Sequence, residues 1–83
     1  PEIPYPAAAA RSREEGSLIL LVQVDANGNA TDVTVETRSG SRDLDRAAQQ
    51  AVRDWKFEPA IKGGKPTASA VRVPIEFTLQ DAG

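Results

Sequence analysis

The hydrophobic positions along this chain switch between two periods, and each switch marks an element. From Ser17 to Asp25, Leu18, Leu20, Val22 and Val24 alternate, which is the period-two pattern of a strand. Ile19 and Leu21 make the start of the opposite face apolar as well. This strand is therefore expected at the centre of a sheet, one face on the core and the other partly covered. Asp25-Ala26-Asn27-Gly28-Asn29 reads as a turn, since Asn-Gly tolerates the positive φ of a hairpin. Ala30 to Thr37 returns as a second strand, with Val33 and Val35 alternating with Asp32, Thr34 and Glu36. Beyond the Ser39-Gly40-Ser41 loop the period lengthens. Leu44, Ala47, Ala48, Ala51, Val52 and Trp55 recur at three and four residues, opposite Arg46, Gln49, Gln50, Arg53 and Asp54. That helix is capped by Ser41 or Asp43, and Asp45 suits the positive end of its dipole.

Pro59 stops helical continuation and Gly63-Gly64 provides a loose turn. The last strand is expected from about Thr67 to Leu79, with Val71, Val73, Ile75, Phe77 and Leu79 on one face. Ala70, Arg72, Pro74, Glu76 and Thr78 take the other. At the opposite end, Pro1 to Pro6 should enter extended, and Pro6 suits the first position of a short alanine-rich helix that Gly16 ends. A linker is the alternative for the alanine tract. The order α-β-β-α-β predicts an α+β fold: a three-stranded antiparallel sheet of spatial order 2-1-3 with both helices on one face. The predicted core is Tyr5, Leu18, Leu20, Val22, Val24, Val33, Val35, Leu44, Ala48, Val52, Trp55 and Phe57. Pro74 cannot donate a ladder hydrogen bond, so the last strand should lie at a sheet edge. Another chain can pair with such an edge.

Composition narrows the chemistry. A chain of 83 residues is a single domain near the lower limit for a self-supporting core. With no cysteine and no histidine, thiol catalysis, thiolate metal sites and the commonest general base are all missing. No apolar run reaches the roughly 20 residues that span a membrane. Basic and acidic residues, 10 and 12, are interspersed for a net charge of −2, which argues against nucleic acid as a partner. There is no methionine and the chain opens on Pro1-Glu2, so a fragment or processed product of a longer protein is expected.

In order and spacing, these residues resemble the C-terminal domain of TonB-family energy transducers along nearly the whole chain. The resemblance rests on Tyr5-Pro6 and Ala9, Gly16 before the apolar strand, Val24-Asp25-Ala26-Asn27-Gly28, and Ser39-Gly40. Leu44-Asp45-Arg46-Ala47-Ala48, Trp55-Lys56-Phe57-Glu58-Pro59-Ala60 and Val73-Pro74-Ile75-Glu76-Phe77 complete it. It implies a periplasmic domain of an inner-membrane-anchored protein in a Gram-negative bacterium, working with an ExbB–ExbD motor. It also implies contact with the TonB box of outer-membrane receptors for iron chelates (siderophores), cobalamin or other nutrients. The box would add as a strand along Ala70, Val71, Arg72, Val73, Pro74, Ile75, Glu76, Phe77, Thr78 and Leu79. Two positions depart from the family pattern. Glu14 replaces a hydrophobic residue, which predicts loose packing of the first helix, and Arg38-Ser39 stands for a serine pair.

Other readings compete at particular residues. The edge strand can instead pair with its own copy, giving a homodimer. Arg38, Ser39, Gly40, Ser41 and Arg42 could cradle an anion at a helix start, but no phosphate-loop spacing accompanies them, and a capping loop is the simpler reading. Asp43 and Asp45 suggest acid–base chemistry or a metal, yet capping accounts for both. Asp25, Asn27 and Asn29 alternate as in a calcium loop without its downstream glutamate. Neither catalytic residues nor metal nor cofactor are assigned.

Overall fold

The structure, a computed structural model, describes residues 3–79. Pro1 and Glu2, the first residues of the expected extended entry, lie outside the described residues. A short helix, α1 (Ala7–Arg11), is followed by strands β1 (Gly16–Val24) and β2 (Ala30–Thr37), helix α2 (Arg42–Val52), and strands β3 (Ala60–Lys62), β4 (Lys65–Thr67) and β5 (Ser69–Phe77). The main sheet is antiparallel with order β2-β1-β5, the 2-1-3 arrangement expected from the sequence. Among the described residues, no helix is long and apolar enough to cross a membrane.

The core forms where periodicities meet. Leu18, Leu20, Val22 and Val24 of β1 are buried together with Val33, Leu44, Ala48, Val52, Ala9 and Phe77. Tyr5, Val35, Trp55 and Phe57, also expected inside, are half-buried and pack against this cluster. The other face of β1 carries half-buried Ile19 and Leu21, over which Arg72 of β5 reaches to pair with Glu36 of β2 at 2.8 Å.

Several local expectations are corrected. The last strand starts at Ser69, because Lys65–Thr67 instead folds back on Ala60–Lys62 as a separate two-stranded hairpin. Its turn is tight, not loose: Gly63 and Gly64 sit at φ 59 and 78, the two positive values of a type I′ turn. Thr78 and Leu79 lie beyond the end of β5. Gly16 does not end the first helix but opens β1. Arg13, at φ 54, takes the left-handed position, and the Arg13 and Glu14 N–H groups close the helix on the Ala10 and Ala9 carbonyls. Pro6 precedes α1 as its extended N-cap, at φ −62 and ψ 133. Nor is α1 loosely packed at Glu14. Ala9 is fully buried, and Glu14 Oε1 accepts a 2.6 Å hydrogen bond from the Ser41 hydroxyl, tying the end of α1 to the start of α2.

Candidate functional site

A three-stranded sheet has two edges, and this one treats them differently. Register along β2 shifts twice, between Ile19 and Leu20 and between Gln23 and Val24 of its partner. Such bulges twist an edge and make it a poor template. One outward carbonyl of β2 is also taken, since Gln49 Nε2 of α2 donates to the Val33 carbonyl at 2.7 Å. By contrast β5 pairs with β1 in unbroken register from Gly16 opposite Phe77 to Val24 opposite Ser69. Its outer side is straight and open.

The direction of the main chain along β5 follows from bonds elsewhere in the sheet. The Leu21 and Gln23 carbonyls accept from the Thr34 and Thr31 hydroxyls of β2, so odd-numbered residues of β1 aim their main-chain groups at β2. Even-numbered residues then aim theirs at β5, because antiparallel pairs alternate. Opposite them stand Ser69, Val71, Val73, Ile75 and Phe77, whose N–H and C=O groups turn inward. Ala70, Arg72, Pro74 and Glu76 are left with their main chain facing out. Pro74, opposite Ile19, thus places its missing donor on the outer side, and the inner ladder loses nothing. Among the described residues, none bonds to these outward groups.

Concave surface flanks the edge on both faces. On the helix side, a groove of about 380 Å³ runs along Pro74 to Thr78 and is walled by Ile3, Tyr5 and Trp55. On the other side, Ser17, Ile19 and Thr37 line a hollow of about 340 Å³ against Pro74, Ile75 and Glu76. Tyr5 is fixed by an edge-to-face contact with Phe77, ring centroids 5.3 Å apart, and by donating its hydroxyl to the Glu14 carbonyl. Burial and the nearby Glu15 and Glu14 carboxylates raise its phenol above the usual range. Trp55 tilts against Phe57 with centroids 6.3 Å apart and leaves part of its ring on the groove.

The predicted edge residues therefore divide by role. Ala70, Arg72, Pro74 and Glu76 present main chain outward, while Val71, Val73 and Ile75 are half-buried with their main chain on β1. Phe77 is buried in the core. Leu79 donates its N–H to the Glu15 carboxylate. Ile3 carries no sequence signal for the site, and Tyr5 and Trp55, expected as core in preference to a binding platform, also wall the groove. Their contribution depends on the N-terminal segment and the end of α2 converging on β5, which no local pattern encodes. The acidic candidates have structural duties. Asp45 accepts from the Ser39 N–H at 3.0 Å, and Asp25 accepts from the Asn27 and Asn29 N–H groups at 2.9 Å. Among the described residues, no group of three or more acidic or other metal-ligating side chains converges.

A family model described as the Gram-negative bacterial TonB protein C-terminal matches residues 1–79. The chain belongs to the TonB C-terminal family. Protein TonB of Xanthomonas campestris pv. campestris is 53% identical over 75 residues, which cover 90% of this chain and 34% of that protein. Protein tonB2 of Pseudomonas aeruginosa is 44% identical over 75 residues, covering 90% of this chain and 28% of that one. The chain thus spans about a third of the length of these relatives. The solution structure of the Pseudomonas aeruginosa TonB C-terminal domain superposes with a TM-score of 0.81 at 29% identity, over 100% of this chain and 84% of that one. A tonb2 protein from Vibrio anguillarum does so at 0.73 and 32%, over 96% and 76%. TonB C-terminal domains are non-enzymatic transducing and interaction modules.

Proposed function

We propose that this domain captures an extended segment of an outer-membrane receptor, its TonB box, by adding it as a strand to the outer side of β5. The observation that carries the reading is the open, unbulged edge, with outward main chain at Ala70, Arg72, Pro74 and Glu76 and a hollow on either face beside Pro74 and Glu76. A docked strand would exchange main-chain bonds with those residues. Its alternate side chains would enter the Ile3–Tyr5–Trp55 groove and the hollow beside Ile19. Each bond contributes about 0.5–1.5 kcal/mol net, against about 1–2 kcal/mol per residue to order the peptide. Binding is then modest and reversible, as suits a coupler that engages and releases receptors. In this reading the domain is the periplasmic end of a longer inner-membrane-anchored protein. TonB-family proteins in general work with outer-membrane receptors and with ExbB–ExbD, and the load of that motor would be shared by the paired strands acting in shear.

Amide spectra recorded during titration with TonB-box peptides test the proposal, with Arg72→Pro as the diagnostic variant. Proline at position 72 removes an outward donor and leaves the inward ladder to β1 intact, whereas Arg72→Ala removes only the side chain. Shifts should concentrate between Ser69 and Thr78, and Arg72→Pro should weaken binding about tenfold relative to Arg72→Ala. Equal affinity of the two variants, both folded, would rule out pairing along this edge. Light scattering in the same samples separates the alternative occupant: mass that grows with concentration and is abolished by Arg72→Pro would assign the edge to a second copy.

A further inference from the structure

At the opposite edge of the sheet from β5, the β2–α2 loop and the first turns of α2 enclose a cleft of about 530 Å³. Arg38, Gly40, Arg42, Asp45, Arg46 and Gln49 line it. Three main-chain donors in the loop and the first turn of the helix are committed. Ser41 Oγ accepts from the Leu44 N–H at 3.3 Å, Ser39 Oγ from the Ser41 N–H at 3.0 Å, and Asp45 from the Ser39 N–H at 3.0 Å. The loop is thus a cap, with Ser41 closing on the Leu44 N–H.

The side chains are another matter. Arg42 and Arg46 stand one turn apart on the same side of α2, and Arg38 faces them from the end of β2. All three are exposed, and among the described residues none of their guanidinium groups makes an ion pair or hydrogen bond. The carboxylate in the cleft wall, Asp45, is held by Ser39. Three guanidinium groups therefore surround one concavity on a chain whose net charge is −2.

We propose that this cleft is an anion site whose ligand is a phosphate group. A guanidinium offers paired donors in a planar fork. A carboxylate has two oxygens and satisfies at most two such forks, whereas a tetrahedral phosphate can meet three approaching from different sides. The phosphate belongs either to a lipid headgroup or to a soluble phosphorylated compound. This site is independent of strand pairing at β5 and stands or falls without it.

The test follows the backbone amides and arginine Nε–H groups of the isotopically labelled 83-residue chain. It is titrated with inorganic phosphate and, separately, with vesicles of phosphatidylglycerol or phosphatidylcholine. Saturable shifts at Gly40 and at the Nε–H groups of Arg38, Arg42 and Arg46 are expected. The double substitution R42Q/R46Q should weaken them about tenfold with the circular dichroism spectrum unchanged. Co-sedimentation with phosphatidylglycerol vesicles alone, lost in R42Q/R46Q, assigns the headgroup. Saturable phosphate shifts without sedimentation assign a soluble phosphorylated ligand. Shifts that do not saturate, that spread equally to Arg11 and Arg53, or that survive R42Q/R46Q overturn the site. Tighter binding of a glutamate-rich peptide than of phosphate overturns the ligand class.

Discussion

Gly28 lies at φ 87, and a β-carbon built there would stand 2.2 Å from the Phe57 carbonyl oxygen. The two residues approach so closely because the Phe57 N–H donates to the Gly28 carbonyl at 2.9 Å, docking the β1–β2 turn onto the segment after α2. Gly28→Ala combines a left-handed backbone with a steric overlap and should cost about 2–4 kcal/mol in urea unfolding. Asn-Gly announced the turn in the sequence, but not that the turn would be pinned from outside. Asp25 closes the same turn. Hydrogen bonding, first from the Asn29 amide and then from that of Asn27, holds its carboxyl below the ordinary value of 3.8. A carboxyl depressed in the folded state contributes stability that is full above its unfolded pKa and is lost as pH falls through the folded one. Thermal melts below about pH 4 should therefore decline less steeply for Asp25→Asn than for the parent. Pro74 was legible as an edge marker from its chemistry alone. That its nitrogen faces outward required the pairing register with Ile19.

At the level of elements, α2 was readable because its apolar positions, cap and acidic first turn all lie within one short stretch. The sequence left Ser41 and Asp43 as rival caps. The structure selects Ser41, whose hydroxyl accepts from the Leu44 N–H while donating to Glu14 from α1. Ser41→Ala should therefore cost about 1–2 kcal/mol by denaturant titration, whereas Asp43→Ala, at an exposed position, should cost only a few tenths. The β3–β4 hairpin went unread because its flanks, Ala60-Ile61-Lys62 and Lys65-Pro66-Thr67, are too short and too polar to alternate visibly. Its signal in the sequence is Gly63-Gly64, which is equally compatible with slack between two longer elements.

Across the whole molecule, β1 is the strand everything else is built on, and its two faces differ in consequence. Leu20 is fully buried beneath α2, and Leu20→Ala should lose about 2–5 kcal/mol. Leu21, half-buried on the other face and paired with Arg72 and Thr34, should lose distinctly less on the same substitution, as paired urea titrations would show. The sequence by itself determined the main elements, the central place of β1, the strand order and the edge position of β5. The elements and the central place of β1 follow from which side of a local segment is apolar, the strand order from how the elements are connected, and the edge from the missing donor of Pro74. Tertiary packing sets which edge is open and which is irregular, because that depends on two register shifts and on Gln49 reaching the Val33 carbonyl from another element. It alone also assembled the groove of Ile3, Tyr5 and Trp55 and the arginine cleft. These surfaces join residues far apart in the chain, and the packing that brings them together has no counterpart in the pattern of any single segment.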